Sequence, residues 1–426
     1  MFTRIAIVVF LTPLITQPAQ PPAPHLSSFD RGNSLSMLKQ IKEDLTKNYY
    51  DPAFHGMDVD KKVADAAERL KTAASAGEAS AILADVLLQL DDSHTKFYPP
   101  ERLTQVFYGW DVTMIGDAPY VTWVKKASDA ERKGLARGDR VLAWNRFEPT
   151  RANLWQINYV YRHVRPQQLQ RVIVRKPDGA EKTIDIESEV RERPAGDLED
   201  LIRRAEDAYG MTADFDRAVG DTLVVALSQF GDPKDVERFM KKARGYKNLV
   251  LDLRGNGGGL VVAIDMLLSW CFDHEVKVGV ERTRKGERAE VAKGHKDPFT
   301  GKIVVLVDSR SASASEVTAR VMQLEKRGTV LGDRTAGAVM TSIFIRHTLG
   351  HELGGVGSIA FYGTSITVGD LTMADGASLE KVGVTPDETV LPTGADLAAD
   401  RDPVLARAIT RFGGTMTAEQ AGKFYK

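Results

Sequence analysis

The feature that most constrains the fold is a pattern that occurs twice in the second half of the chain. An apolar, β-branched strand passes through small residues into a helix. In the first copy the strand runs from 248 to 253, the turn spans Gly255–Gly259, and a helix is predicted from 260 to 272. In the second copy the strand runs from 304 to 308, and residues Ser311–Ser315 lead into another helix. Apolar strands that alternate with helices predict an α/β core.

Both turns offer groups that acyl transfer uses. A serine on the first turn of a helix lies near free backbone N–H groups and the positive end of the helix dipole, which stabilise developing negative charge. Successive glycines let the backbone approach a ligand closely, so their N–H groups can form part of an oxyanion hole. The alternatives are N-capping for the serines and a plain strand-to-helix turn for the glycines. A dinucleotide fingerprint fits poorly, because Leu260 stands where that motif needs glycine.

The segments 252–259 and 311–316 resemble the signatures of the tail-specific, or C-terminal-processing, serine peptidases. The resemblance implies that Ser313 is the nucleophile and that the oxyanion donors are the N–H groups of Ala314 and of Gly258 or Gly259. In the serine–lysine branch of this family a catalytic lysine stands where this chain has Ala338. Alanine cannot accept a proton, so the resemblance implies either another base or an inactive protein.

The best placed base is His94, in the segment 90–97 just after a predicted helix. This segment is similar to the tricorn-like branch of the same family, in which a Ser-His pair faces the nucleophile. The resemblance assigns Ser93 and His94 to that pair and Glu380 to the matching carboxylate. Imidazole can take the proton of an alcohol near neutral pH, and a carboxyl group can fix its orientation. The alternative for each residue alone is a solvated or capping role.

His347 and His351 lie four residues apart, a spacing that zinc ligands can have. Their order is not the His-Glu-x-x-His of metalloproteases, and Gly350 and neighbouring glycines disfavour a helix that would hold both rings on one face. We therefore expect no metal and no cofactor.

Composition is typical of a soluble multidomain enzyme. The chain has 426 residues, a hydrophobic fraction of 43%, and 57 Lys+Arg against 58 Asp+Glu. A balanced charge gives no indication of a nucleic-acid partner. We expect polypeptide substrates, and the sequence is compatible with a homo-oligomer.

Residues 1–24 are interpreted as a signal peptide and a proline-rich linker, because Arg4 precedes an apolar run too short to span a bilayer comfortably. The alternative is that this signal sequence is not cleaved and anchors the protein to the membrane, which would be its one membrane contact. The expected location is the periplasm or the extracellular space. Cys271, the one cysteine, lies in an apolar run and is predicted to be buried.

Three domains are expected after the linker. Residues 25–100 carry helical periodicity and predict a helical domain. Residues 101–190 predict short strands, and the segment 130–145 resembles an element of PDZ domains, with Lys133 and Arg146 departing from that pattern. The corresponding carboxylate loop would be 108–111, where Asp111 is unfavourable for an anion. Residues 191–426 are predicted to form the catalytic α/β domain, which the family resemblance implies is crotonase-like.

The sequence thus predicts a serine endopeptidase that cuts exported polypeptides through an acyl-enzyme, with Ser313 as nucleophile and His94 as general base. The alternative is a catalytically inactive member of the family that binds a peptide or an apolar ligand.

Overall fold

The computed structural model describes residues 26–425 except 101, 103, 193–213 and 350–359. The predicted signal peptide and linker therefore lie outside the described residues. No helix within these ranges is long and apolar enough to cross a bilayer.

The described part of the chain begins with three helices, where helical periodicity predicts them. Each starts at a side-chain cap: Ser27, Asp58 and Ser75 accept hydrogen bonds from backbone N–H groups of the first turn. Their apolar faces pack together around fully buried leucine and isoleucine side chains. The helices are α1 (Ser28–Asn48), α2 (Val59–Thr72) and α3 (Ala76–Leu88), with a short 3₁₀ turn at Phe54–Gly56.

The middle of the chain is mainly β-structure. Five strands form an antiparallel sheet in the order β3-β4-β5-β6-β7, and β2 pairs with β8. The elements are β1 (Lys96–Tyr98), β2 (Thr104–Phe107), β3 (Trp110–Ile115), β4 (Ala118–Val124), α4 (Asp129–Arg132), β5 (Arg140–Trp144), α5 (Leu154–Tyr159) with a π turn at Val160–Val164, β6 (Leu169–Arg175), β7 (Glu181–Glu187) and β8 (Glu189–Glu192). The expected loop at 108–111 is only partly a loop, since β3 already begins at Trp110.

The second half holds a six-stranded sheet in the order β18-β15-β14-β11-β10-β9. Its strands run parallel apart from β9. The elements are β9 (Phe215–Val219), β10 (Thr222–Ala226), α6 (Pro233–Ala243), β11 (Asn248–Asp252), α7 (Val261–Cys271), β12 (Val276–Thr283), β13 (Gly286–Ala292), β14 (Lys302–Val307), α8 (Ala314–Leu324), β15 (Gly328–Gly332), β16 (Thr341–Leu349), β17 (Ala360–Met373), β18 (Glu388–Thr389), α9 (Gly394–Ala398), α10 (Pro403–Arg411) and α11 (Ala418–Gly422).

This topology brings the predicted motifs together. Strands β11 and β14 are parallel neighbours, so their carboxyl ends deliver the glycine loop and the serine loop to one edge of the sheet. Strand β1 pairs with β17 of a separate five-stranded sheet that also contains β12, β13 and β16, with Lys96 opposite Ser365. This pairing ties the His94 segment to strands from the second half of the chain. Cys271 is buried, as predicted.

Candidate active site

Ser313 is the N-cap residue of α8, and its backbone is strained. Its φ of 53° and ψ of −116° lie in a region that glycine favours. Such a conformation costs about 1–3 kcal/mol for other residues and is found where function needs it. A serine on a sharp strand-to-helix turn is also the geometry of nucleophile elbows. The backbone therefore points to more than a capping role for Ser313.

The glycine loop packs directly against this serine. A Cβ atom on Gly258 would lie 2.6 Å from Cβ of Ser313, so only glycine fits there. The N–H of Gly258, however, donates to Oδ1 of Asn256 at 2.8 Å. The N–H groups of Gly259 and Ala314 have no hydrogen-bond acceptor within the described ranges. Of the two glycines that the resemblance names as donors, Gly259 is therefore the one whose N–H is not engaged by another group among the described residues.

Asn256 holds the two loops together, a role that the sequence analysis did not assign. Its side chain is fully buried and donates from Nδ2 to the carbonyl of Leu227 at 2.9 Å. Its carbonyl accepts the N–H of Ala312 and the hydroxyl of Ser315, each at 3.0 Å. The glycine loop and the serine loop are therefore fixed relative to each other through one residue.

Glu316 is a second residue whose role the sequence analysis missed. Its carboxylate is fully buried and accepts hydrogen bonds from Oγ1 of Thr335 and from the N–H groups of Gly337, Ala338 and Ser313, at 2.6–3.1 Å. Burial raises the pKa of Glu316, and these donors act in the opposite direction. One carboxylate thus anchors the segment 335–338 to the serine loop. The available sequence signal was a charged residue among small residues at a helix start.

The loop that carries His94 is organised by the buried carboxylate of Asp92. Oδ1 of Asp92 accepts the N–H groups of His94 and Thr95, at 2.9 and 2.6 Å. Its two oxygens also accept the hydroxyls of Tyr49, Thr95 and Thr367, at 2.8–2.9 Å. Side chains from the residue just after α1 and from β17 therefore fix the loop that carries the histidine.

Ser93, His94 and Glu380 form a continuous hydrogen-bonded chain. Oγ of Ser93 lies 2.6 Å from Nδ1 of His94 and donates to Oε2 of Glu380 at 3.0 Å. Because the single hydroxyl proton of Ser93 goes to the carboxylate, Nδ1 of His94 must carry the proton that it shares with Ser93. This tautomer leaves the lone pair of Nε2 free to accept a proton.

Burial also keeps the imidazole neutral. It lowers the pKa of His94 from 6.5 to about 4, with a further contribution from the charge of Lys96 and an opposing one from Asp92. Burial raises the pKa of Glu380, which the hydrogen bonds from Val339 and Ser93 partly offset. Around neutral pH His94 is therefore in the form that a general base requires.

The peptide bond between Ala338 and Val339 joins the hydrogen-bonded chain of Ser93, His94 and Glu380 to the serine loop. The carbonyl of Ala338 accepts the N–H of Ser313 at 2.7 Å, and the N–H of Val339 donates to Oε2 of Glu380 at 3.1 Å. No hydrogen bond between Ser313 and His94 is present among the described residues. The structure thus brings all four predicted catalytic residues into one hydrogen-bonded neighbourhood and leaves the final contact between nucleophile and base unmade.

The histidines weighed as metal ligands have a different environment. Nε2 of His347 lies 2.7 Å from Oδ2 of Asp44, which also accepts the hydroxyl of Thr364 at 2.6 Å. His351 lies outside the described residues. Within the described ranges no group of three or more His, Cys, Asp or Glu side chains is arranged to hold a metal ion.

The antiparallel sheet of the middle region contacts the serine loop directly. Asp111 on β3 pairs with Arg310 of that loop at 3.1 Å and with Arg162 at 2.7 Å. The hydroxyl of Ser309 donates to the carbonyl of Met114 at 2.6 Å. The carboxylate that the sequence analysis judged unfavourable for an anion is thus engaged by two arginines.

Part of the chain matches a known family model. The match covers residues 221–390 and is to peptidase family S41. The matched stretch contains Ser313, the glycine loop and Glu380, whereas Ser93 and His94 lie outside it.

Among characterised relatives, the chain is 31% identical over 154 residues to the chloroplastic C-terminal processing peptidase of Tetradesmus obliquus, covering 35% of this chain and 31% of the relative. It is 31% identical over 172 residues to the carboxyl-terminal-processing protease of Synechocystis sp., covering 39% and 37%. The match thus spans about a third of the length of these relatives. The crystal structure of mature CPAF has the same fold, with a TM-score of 0.63 at 15% identity over 87% of this chain and 95% of that one.

Proposed function

We propose that the protein is a serine endopeptidase that hydrolyses peptide bonds of exported polypeptides through an acyl-enzyme. The observation that carries this proposal is the hydrogen-bonded chain from Glu380 through Ser93 to His94. The Ala338–Val339 peptide bond links Glu380 of this chain to Ser313, a strained serine at a helix N-terminus. The match to peptidase family S41 supports the same chemistry.

In the first half of the reaction, Nε2 of His94 takes the proton of Ser313 as Oγ bonds to the carbonyl carbon of the substrate. The N–H groups of Ala314 and Gly259 donate to the resulting oxyanion, which lowers the barrier. His94 then gives its proton to the leaving nitrogen, the C–N bond breaks, and the acyl group stays on Ser313.

In the second half, a water molecule gives a proton to His94 and attacks the acyl carbon. The bond to Oγ breaks, the proton returns to Ser313, and the carboxylic acid leaves. Ser93 and Glu380 orient His94 in both halves and stabilise its charged form. The side chain of Ala338 takes no part in this scheme, because His94 is the base. The backbone carbonyl of Ala338 positions Ser313 by accepting its N–H.

The remaining regions supply substrate access in this proposal. We assign residues 25–100 to a helical domain, 101–190 to a PDZ-like domain and 191–426 to the catalytic domain with a crotonase-like core; the boundary at 190 falls within β8. Strand β3 is an edge strand of its sheet within the described part of the chain, which suits capture of a peptide as an added strand. The N-terminal sequence directs the protein to the periplasm or the extracellular space.

The experiment is digestion of β-casein by the mature protein, followed by mass spectrometry of the fragments. We expect internal cleavage by the wild type and none by Ser313→Ala, with a chelator making no difference. Binding of casein by folded wild-type protein without any cleavage would refute the peptidase proposal and favour an inactive binding protein.

A further inference from the structure

Lys96 is a partly buried cation for which the structure offers no anionic partner. It is the first residue of β1, and its Nζ lies 5.0 Å from the centroid of the Trp155 ring. Within the described ranges no ion pair or hydrogen bond reaches Nζ. Burial lowers the pKa of Lys96, whereas Asp92 and Glu380 act to raise it. Lysine is rarely buried unless it is paired, so this ammonium is available for an anionic ligand.

The two carboxylates whose charges raise the pKa of Lys96 are those of Asp92 and Glu380. Both already accept hydrogen bonds from other groups. Asp92 accepts hydrogen bonds from the loop around His94 and from two hydroxyls of other elements. Glu380 accepts from Ser93 and Val339. Neither lies within ion-pair distance of Lys96, so both act on its ammonium group electrostatically and without contact.

The surface beside Lys96 is aromatic. Tyr98 lies on the same face of β1, two residues further on, while Phe97 between them is buried. The ring of Tyr98 meets those of Phe344 and His163 edge-on, at 5.5 and 5.7 Å, and Phe344 is 61% exposed. The charge of Lys96 acts on His163 together with those of nearby arginines. A peptide segment with a negative group would find both contact area and charge here.

We propose that Lys96 is a specificity-determining residue that binds a carboxylate on the leaving segment of the substrate. This inference rests on the proposed peptidase function. His94 must face the leaving nitrogen in order to protonate it, and Lys96 follows His94 by two residues. The carboxylate is either an acidic side chain just after the scissile bond or the free C-terminus of a short leaving segment. A charge-assisted hydrogen bond to a desolvated ammonium would favour both.

The test measures binding first, so that it does not depend on catalysis. Four fluorescein-labelled alanine hexapeptides carry either Asp or Asn at the fourth position, each with a C-terminal carboxylate or a C-terminal amide. Their dissociation constants for Ser313→Ala are measured by fluorescence anisotropy. We expect at least one carboxylate to tighten binding about tenfold over its neutral counterpart, as a single charge-assisted hydrogen bond would. The Asp/Asn pair and the carboxylate/amide pair identify the source.

The variants decide whether Lys96 is responsible. Lys96→Met in the same background should remove the preference, and Lys96→Arg should retain most of it. Lys277→Met, at an exposed position of β12, is the matched control and should keep the preference, with urea midpoints confirming that each variant is folded. Equal binding of all four peptides, or a preference that survives Lys96→Met, would overturn the inference.

Cleavage is scored separately. The ratio of kcat/KM for acidic over neutral peptides with active protein should fall about tenfold in Lys96→Met, as the binding ratio does. A carboxylate preference in binding without cleavage of any peptide would refute the peptidase proposal and leave the role of Lys96 standing. Cleavage without any preference for a carboxylate would overturn the proposed role of Lys96 and leave the peptidase proposal standing.

Discussion

The N–H of Ser313 donates to the carbonyl of Ala338 at 2.7 Å. The other end of the same peptide bond, the N–H of Val339, donates to Glu380. The position at which the serine–lysine peptidases carry their base is therefore occupied by a backbone group that connects the nucleophile to the carboxylate of the Ser93–His94 chain. We therefore expect the site to work with alanine at position 338.

Removing the base should abolish most turnover. General acid–base catalysis is typically worth about 10²- to 10⁴-fold, so His94→Ala should lower kcat for casein cleavage by that amount. Ser93→Ala breaks the link between Nδ1 and Glu380 but leaves the imidazole in place, so its loss should be smaller. Steady-state kinetics on the two variants check the order, and equal losses would contradict the orienting role of Ser93.

The glycine loop offers a matched pair of substitutions. Gly258→Ala places a Cβ atom 2.6 Å from Cβ of Ser313, at a φ of +104° that disfavours alanine. Gly257→Ala meets no heavy atom within 4 Å. We expect Gly258→Ala to remove activity while the protein still folds, and Gly257→Ala to keep it. Circular dichroism and casein cleavage measure both, and an active Gly258→Ala would show that the loop does not need this close approach.

Glu316→Gln tests the buried carboxylate that anchors the segment 335–338. The amide has the same shape, but its NH₂ group would face backbone N–H donors that now meet a carboxylate oxygen. Leaving buried groups unsatisfied costs about 1–3 kcal/mol each, so the free energy of unfolding should fall by at least that amount. Urea denaturation measures it. A variant as stable as the wild type would mean that the network contributes nothing net to folding.

Acid conditions should destabilise the fold before they protonate the base. His94 and His163 both have a folded pKa lowered to about 4, mainly by burial. The unfolded chain binds these protons at about pH 6.5, so between pH 6.5 and 4 it binds more protons than the folded protein. Stability is therefore fully present above pH 6.5 and is lost as the pH falls towards 4.

Urea midpoints between pH 4 and 7 measure this slope, and His163→Gln should reduce it. In the folded enzyme, the acid limb of kcat/KM should have its midpoint near pH 4. A midpoint near 6.5 would indicate a solvated histidine and would contradict the burial argument.

The sequence predicted the elements that depend on local pattern. The strand predicted from 248 to 253 begins where β11 begins and ends one residue beyond it, and the helix predicted from 260 to 272 begins and ends within one residue of α7. Long apolar runs bounded by glycine and polar residues leave little choice of conformation. At 108–111 the prediction was less accurate, because the alternation of β3 already starts at Trp110.

The supporting residues of the site could not be predicted in this way. Asn256 and Glu316 act on loops that lie far from them in sequence, and Asp92 draws on Tyr49 and Thr367. Such contacts arise only when strands that are distant along the chain become neighbours. A local motif predicts which residues are candidates for the reaction, and it gives no information on the distant residues that hold the motif in place.

The central claim is that Ser313 is a nucleophile activated by His94. The most direct test is covalent labelling of folded protein with a fluorophosphonate probe, followed by mass mapping of the adduct in the wild type and in His94→Ala. We predict one adduct on Ser313 in the wild type and labelling slowed at least about 10²-fold in the variant. An adduct on another serine, or equal labelling of Ser313 in both proteins, would contradict the claim.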